Sequence, residues 1–553
     1  MNEAATCPVW KIWANPILRR YARARLRPQA WFSIVLLTLL IAGFIFFAAR
    51  TPSMHRGNML VVDAERVAIF PLMVLQALIL FFLGTGQVAG GITGEADEGV
   101  LDYQRLTPMS PLAKVLGYWL GLPVREWVMF AVTLPFSAWC FWRGQVPFEA
   151  WASVYAVFIT SALLYHLTGF TAGMVVKNRR WAFLMSMGVI LVLYTIMPQV
   201  SRFGLLFFEY LTIWPVLDEY THHFIPRDAG HIVKLAAGLM PKANFYGLEF
   251  REIVFTLFCQ AGLLLTMLTM VWRRWRRVES HLLGKVWAVL VFLWMQVLLL
   301  GNGLPMIEGG SLFPSRAFAA RFRQLKLPDP SLGEGIIIAS LYGVVTVLVL
   351  LVLAFIITPT LDTQWRGLRR ARKLALPHVP RAGDSAGSAP FLIAMIVPGA
   401  LVWFQFAQAI MTSHWFPGHT LPAWGVAVCA LTLVNALLPF QAVYEGWGGK
   451  PLFLVALFLG IVPPMVGFIL GEASDALWPF AVWLGGASPL MGPAMAPMVL
   501  VPDPDLPMSV ARSVPRAFGF WQGLLLLATV WLQLRLHAIK RQRRDLAHQT
   551  EVP

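Results

Sequence analysis

The chain has 553 residues, of which 58% are hydrophobic and only 13% are charged. Soluble globular chains carry about 45–50% apolar and about 25% charged residues, so a string of soluble domains is excluded. Four scattered cysteines are too few for a disulfide scaffold. The net charge of +16 does not indicate nucleic acid here, because the basic residues cluster beside apolar runs, where they fix topology and meet anionic lipid. We therefore expect an all-α polytopic membrane protein.

The first segment, 1–29, is basic and predicts an amphipathic helix on the cytoplasmic membrane surface. Its apolar side chains are expected to face lipid while its arginines meet headgroups. The apolar side chains are Ile17, Leu18, Tyr21 and Leu26, and the polar residues that define the helix are Asn15, Pro16, Arg19, Arg20, Arg23 and Arg27.

Twelve apolar runs follow that are long enough to cross a hydrocarbon core of about 30 Å, which takes about 20 helical residues. Two further apolar stretches, 203–217 and 475–500, are interrupted by prolines, and we interpret the second as a re-entrant or interfacial segment. The twelve predicted spans are 30–49, 67–90, 122–142, 151–174, 181–200, 252–272, 286–303, 334–358, 391–411, 423–444, 451–470 and 516–536.

The distribution of Lys and Arg predicts that both termini are cytoplasmic, because most of them then fall on the inner side. If 475–500 were a span, the basic tail 537–553 would be exported. Proline-containing motifs on the predicted outer side, Leu239–Pro241 and Ser488–Pro493, precede the sixth and twelfth spans. A basic segment follows each of these two spans. This loose repeat predicts two six-span halves, 30–280 and 281–536, of which the second is divergent.

Motifs for catalysis within this chain are missing from the sequence. It has no Gly-x-x-x-x-Gly-Lys-Ser/Thr phosphate loop and no His-Glu-x-x-His, so we expect no enzyme activity and no bound cofactor or metal. Arg125 and Glu126 are candidate intramembrane polar groups, but an ion relay normally needs several. A secondary transporter driven by an ion gradient stays open. A membrane-embedded enzyme that acts on lipid-linked substrates also stays open, and Asp97, Glu98 and Asp102 could supply the acidic groups that it needs at one membrane face.

The most informative stretch joins the second and third spans. Four acidic residues fall between Glu95 and Asp102, on the side where basic residues are the rule. Gly99 permits a turn, and the apolar residues after it predict a short amphipathic helix that ends at Thr107-Pro108. A short helix with an apolar ridge and acidic flanks suits the groove of a partner protein. A solvated acidic loop is the alternative.

This stretch resembles the signature of bacterial type-two export permeases of the ATP-binding-cassette (ABC) class. The matching residues are Glu95, Glu98, Gly99, Val100, Leu101, Leu106, Thr107, Pro108, Met109 and Ser110, and the basic helix that begins at Asn15 also fits. The resemblance implies a multi-pass permease subunit in the bacterial inner membrane. It also implies a separate ATPase subunit that binds ATP and Mg²⁺.

In that family the short helix docks on the ATPase, which implies a set of coupling residues here. The second half lacks the pattern at 359–365, which leaves open whether one chain or a homodimer forms the pore. The implied coupling residues are Glu95, Asp97, Glu98, Gly99, Val100, Leu101, Tyr103, Arg105, Leu106, Thr107, Pro108 and Ser110.

Overall fold

A computed structural model describes residues 11–55, 60–201, 203–227, 243–321, 326–376, 379–502 and 506–549. These residues form helices and one antiparallel hairpin, which confirms an all-α polytopic membrane protein. The motif Leu239–Pro241 lies outside the described residues. The chain divides into two compact units, one comprising the described residues up to Ser201 with Phe207–Ser280, the other 203–206 with the described residues from His281. That these units are permease halves stays a prediction.

The first unit contains thirteen of the described helices and the hairpin. A π-helical turn at Leu78–Gly84 makes α3 to α5 nearly one continuous rod. The helices are α1 (Pro16–Arg25), α2 (Pro28–His55), α3 (Val61–Val67), α4 (Ile69–Ala77), α5 (Thr85–Asp97), α6 (Val100–Leu106), α7 (Pro111–Gly121), α8 (Val124–Arg143), α9 (Phe148–Val175), α10 (Arg179–Thr195), α11 (Met197–Ser201), α12 (Trp214–Phe224) and α13 (Glu252–Arg276), and the strands are β1 (Ala243–Phe245) and β2 (Leu248–Phe250).

The described helices of the second unit follow in the same way. A second π-helical turn, Ala456–Ile461, joins two of them. The helices are α14 (Lys285–Gly309), α15 (Pro314–Arg321), α16 (Leu332–Ile357), α17 (Leu361–Lys373), α18 (Ala389–Met411), α19 (Gly425–Trp447), α20 (Gly449–Val455), α21 (Val462–Ala473), α22 (Trp478–Gly486), α23 (Gly492–Leu500) and α24 (Met508–Gln549).

Eleven helical segments among the described residues are long and apolar enough to cross a membrane. They account for every predicted span except 122–142. That region is helix α8, which is not among the eleven and which has Arg125 and Glu126 in its first turn and Arg143 at its end. A multi-pass membrane protein is therefore established, and the count of twelve spans stays a prediction.

The core of the first unit depends on close packing of α5 against α9 and α10. A methyl group on Gly169 would lie 2.6 Å from the Thr85 carbonyl oxygen, and one on Gly173 would lie 2.7 Å from the Ala89 carbonyl oxygen. Small residues let membrane helices approach in this way.

The second unit is centred on α16, α18 and α19. The indole of Trp403 packs closely against Gly343 of α16. Its Nε1 donates a hydrogen bond to the Ala339 carbonyl oxygen at 2.8 Å. At the end of α19 the buried carboxylate of Glu445 lies 2.5 Å from the ammonium of Lys540 and also accepts a hydrogen bond from Gln364. These contacts join α17, α19 and α24.

The stretch 475–500 contains two separate helices, α22 and α23. Each has nine residues and is therefore about 13 Å long, which is too short to cross a core of about 30 Å. Helix α22 packs against α21, and α23 packs against α16. The structure thus agrees with a segment that does not span by itself, while its placement on the outer side stays a prediction.

Candidate docking surface around helix α6

Helix α6 presents a mixed apolar and acidic surface. It occupies Val100–Leu106, as the apolar spacing predicted. Tyr103 is 69% exposed and Leu106 84% exposed, and the two lie three residues apart, on one helix face. Asp97, Glu98 and Asp102 are exposed around them. We call Asp97, Glu98, Asp102, Tyr103 and Leu106 the α6 surface.

The opposite side of α6 is anchored in the protein. Leu101 is only 4% exposed and belongs to a buried cluster with Ile17 of α1 and Trp275 of α13. Arg105 forms an ion pair with Asp102, and its guanidinium carbon lies 5.9 Å from the Trp275 ring. The helix is therefore fixed to two neighbouring elements, although it has only seven residues.

Both ends of α6 are defined by specific residues. Gly99 has φ +71°, a left-handed conformation that favours glycine, and it turns the chain from α5 into α6. At the other end, the buried ammonium of Lys114 donates to the carbonyl oxygens of Arg105 at 3.1 Å and Thr107 at 2.9 Å. Burial lowers the pKa of Lys114. This lysine links the last turn of α6 to α7.

The segment after α6 restarts the chain as a new helix. The Thr107 hydroxyl donates to the Gln104 carbonyl oxygen at 2.8 Å, and Ser110 Oγ accepts from the Ala113 N–H at 3.2 Å, capping α7. Pro108 is exposed, and Pro111 occupies the first turn of α7, where a missing N–H costs nothing. Thr107, Pro108 and Ser110 therefore shape the end of α6, and of the three only Pro108 is exposed.

Glu95 is directed into the protein rather than toward a partner. Its carboxylate accepts hydrogen bonds from Arg20, Tyr21 and Tyr118, and its side chain is 15% exposed. Burial, and then the hydrogen bond to Glu95, raises the pKa of both tyrosines, so they remain donors at neutral pH. The predicted coupling residue Glu95 is thus a joint between α1, α5 and α7.

The apolar face of α1 contacts protein, and the expectation that it faces lipid was wrong for three of its four residues. Ile17, Leu18 and Tyr21 are all less than 9% exposed, because α1 packs along α7. Asn15 caps α1 by accepting from Ile17 N–H at 3.0 Å and donates Nδ2 to the Ala113 carbonyl oxygen at 2.7 Å. Of the polar residues predicted for this helix, all but Asn15 are exposed, namely Pro16, Arg19, Arg20, Arg23 and Arg27.

The intramembrane candidates Arg125 and Glu126 lie in the first turn of α8 and pair with each other. Glu126 is fully buried, and its Oε1 accepts from Arg125 Nε at 2.9 Å and Nη2 at 2.7 Å. In the described part of the chain, no group of three or more His, Cys, Asp or Glu is placed to hold a metal ion.

Sequence reasoning missed the residues that position α6. Lys114 could have been recognised as a single lysine in the otherwise apolar run 111–121, since a buried lysine must find oxygen acceptors. Tyr21, Tyr118 and Trp275 carried no local signal, because their contacts join residues far apart in the chain.

No protein-family model, curated protein or solved structure matches this chain.

Proposed function

We propose that this chain is the permease subunit of an ABC exporter and that the α6 surface docks on a separate nucleotide-binding subunit. The observation that carries the proposal is the 69% and 84% exposure of Tyr103 and Leu106 on a helix whose other face is buried. Exposed apolar side chains rimmed by charges are typical of protein interaction sites.

The anchoring of α6 supports a mechanical role. A docking helix transmits force only if it moves with the helices that cross the membrane, and α6 is joined to α7 through Lys114, to α1 and α13 through Leu101, and to α5 through Gly99. Closure of two ATP-bound subunits would push α6 and rotate the spans, which is rigid-body motion driven in trans. The implied location is the bacterial inner membrane, with α6 and both termini in the cytoplasm.

The charge of the α6 surface provides the first test. Glu98→Arg places a positive charge in an acidic exposed patch, and like-charge contacts across an interface are strongly unfavourable. We expect loss of the ATP hydrolysis that the permease stimulates in its ATPase partner, with unchanged membrane insertion. The measurement is ATPase activity of the reconstituted complex at two salt concentrations.

The matched control is Asp475→Arg, another exposed acidic position, in the second unit. It should leave stimulated hydrolysis unchanged. Full stimulation in the Glu98→Arg complex at low salt would contradict a docking role for this surface.

A further inference from the structure

Two arginine side chains lie against α5, one from α1 and one from α10, and a third arginine lies at the start of α8, which packs against α1. Arg25 donates Nη1 to Gln87 Oε1 at 2.9 Å, and Arg179 lies over Gly90, where an added methyl group would be 3.3 Å from its Nε. Gln87 and Gly90 are three residues apart on α5 and share one helix face. Arg25 and Arg179 therefore approach the same side of α5 from two different helices.

Arg125 completes the group from the start of α8, and it lies beside the buried carboxylate of Glu126. Burial lowers the pKa of Arg25. Glu126 opposes that shift, and the charges of Arg125 and Arg179 reinforce it. Arg125 thus pairs with the Glu126 carboxylate, Arg25 interacts with the same carboxylate, and Arg179 adds a third positive charge near Arg25, so positive charge is in excess.

The surroundings of this cluster are basic as well. Lys177 and Arg180 line one shallow groove with Arg179, and the single acidic residue in that groove is Asp97. An excess of positive charge that is partly removed from water attracts an anion with several oxygen atoms, and arginine binds phosphate through paired N–H groups.

The cluster lies at the level where lipid headgroups are expected. Arg25 precedes the apolar segment Pro28–Thr51, and Arg179 is the first residue of the apolar segment Arg179–Gln199. Only 17% of the latter is buried, so α10 faces outward. Trp181 and Leu184, in its first two turns, are 62% and 56% exposed, and they offer an apolar surface next to the arginines.

We propose that Arg25, Arg125 and Arg179 bind the phosphate of an anionic phospholipid in the leaflet on the α6 side, with the acyl chains along α10. Basic pockets between membrane helices recognise lipid phosphates in this way. The site adjoins the α6 surface at Asp97, but it uses neither Tyr103 nor Leu106, so it does not depend on the proposed function.

The test is native mass spectrometry of the delipidated full chain in detergent, titrated with phosphatidylglycerol or with phosphatidylcholine of the same acyl chains. We expect phosphatidylglycerol to bind at least tenfold more tightly. Arg25→Gln combined with Arg179→Gln should weaken that binding at least tenfold, since hydrogen bonds between ionised groups are stronger than those between neutral groups. Arg19→Gln with Arg23→Gln, exposed on α1, is the control and should change it less than twofold.

Arg179→Gln alone separates an effect on binding from an effect on folding, because Arg179 is exposed whereas Arg25 connects α1 to α5. It should weaken phosphatidylglycerol binding while the melting temperature of the detergent-solubilised protein stays unchanged. Equal binding of the two lipids, or equal effects of the test and control pairs, would overturn the proposal. Complete displacement of the lipid by millimolar inorganic phosphate would also overturn it, because the site would then bind free anions.

Discussion

Replacing Tyr103 and Leu106 together by aspartate is expected to weaken binding of the ATPase subunit at least ~30-fold. Interface side chains that dominate binding contribute about 2 kcal/mol or more each when they are removed, and about 2 kcal/mol corresponds to a factor of ~30 in affinity. Both side chains are exposed, so the permease itself should fold and insert normally. Affinity can be measured by titrating labelled ATPase onto the permease in nanodiscs.

Leu374→Asp is the matched control for this experiment. Leu374 is 70% exposed and directly follows α17 in the second unit. It should leave the affinity unchanged. If Tyr103→Asp with Leu106→Asp binds the ATPase as tightly as the control does, the exposed apolar pair is not a docking site.

Glu95→Ala is expected to release α1 from the rest of the first unit. The variant leaves the hydroxyls of Tyr21 and Tyr118 and the guanidinium of Arg20 without the acceptor they share. Loss of a mostly buried charged partner costs about 3 kcal/mol, which raises the population of detached α1 by about 100-fold. Since α1 contains several arginines, limited trypsin digestion of the folded protein measures this opening directly.

Glu98→Ala serves as the comparison, because Glu98 is three residues away and exposed. Its rate of cleavage in α1 should match that of the unaltered protein. Glu95→Gln keeps an acceptor for the phenols and removes the charge, so its cleavage rate should be intermediate. Equal rates for Glu95→Ala and Glu98→Ala would show that the carboxylate does not anchor α1.

The sequence predicted where the helices lie better than it predicted irregular turns within them. The run 67–90 was expected as one span, and it lies inside the nearly continuous helical segment Val61–Asp97. The π-helical turn at Leu78–Gly84 was not predicted. His166 of α9 donates Nε2 to the Leu80 carbonyl oxygen at 3.0 Å and fills the space next to Gly84. A contact between residues this far apart in the chain leaves no local pattern in the sequence.

The candidate site was predicted in outline but not in orientation. Gly99, the helix after it and its end at Thr107 follow from local conformational preferences. Those local preferences do not determine which carboxylate faces outward. Glu95 and Glu98 look equivalent in the sequence, and only the tertiary positions of Tyr21 and Tyr118 draw Glu95 inward. The orientation of α1 has the same origin, since its apolar face is covered by α7.

The most direct test of the docking role is site-specific photo-crosslinking from position 103 in native membranes. With a photoreactive amino acid in place of Tyr103, the α6 surface should capture an ABC ATPase, identified by its phosphate-loop peptide in mass spectrometry. The same probe at position 374 should not. Capture of that ATPase from position 374 but not from position 103, or labelling of position 103 from the extracytoplasmic side by an impermeant reagent, would contradict the account.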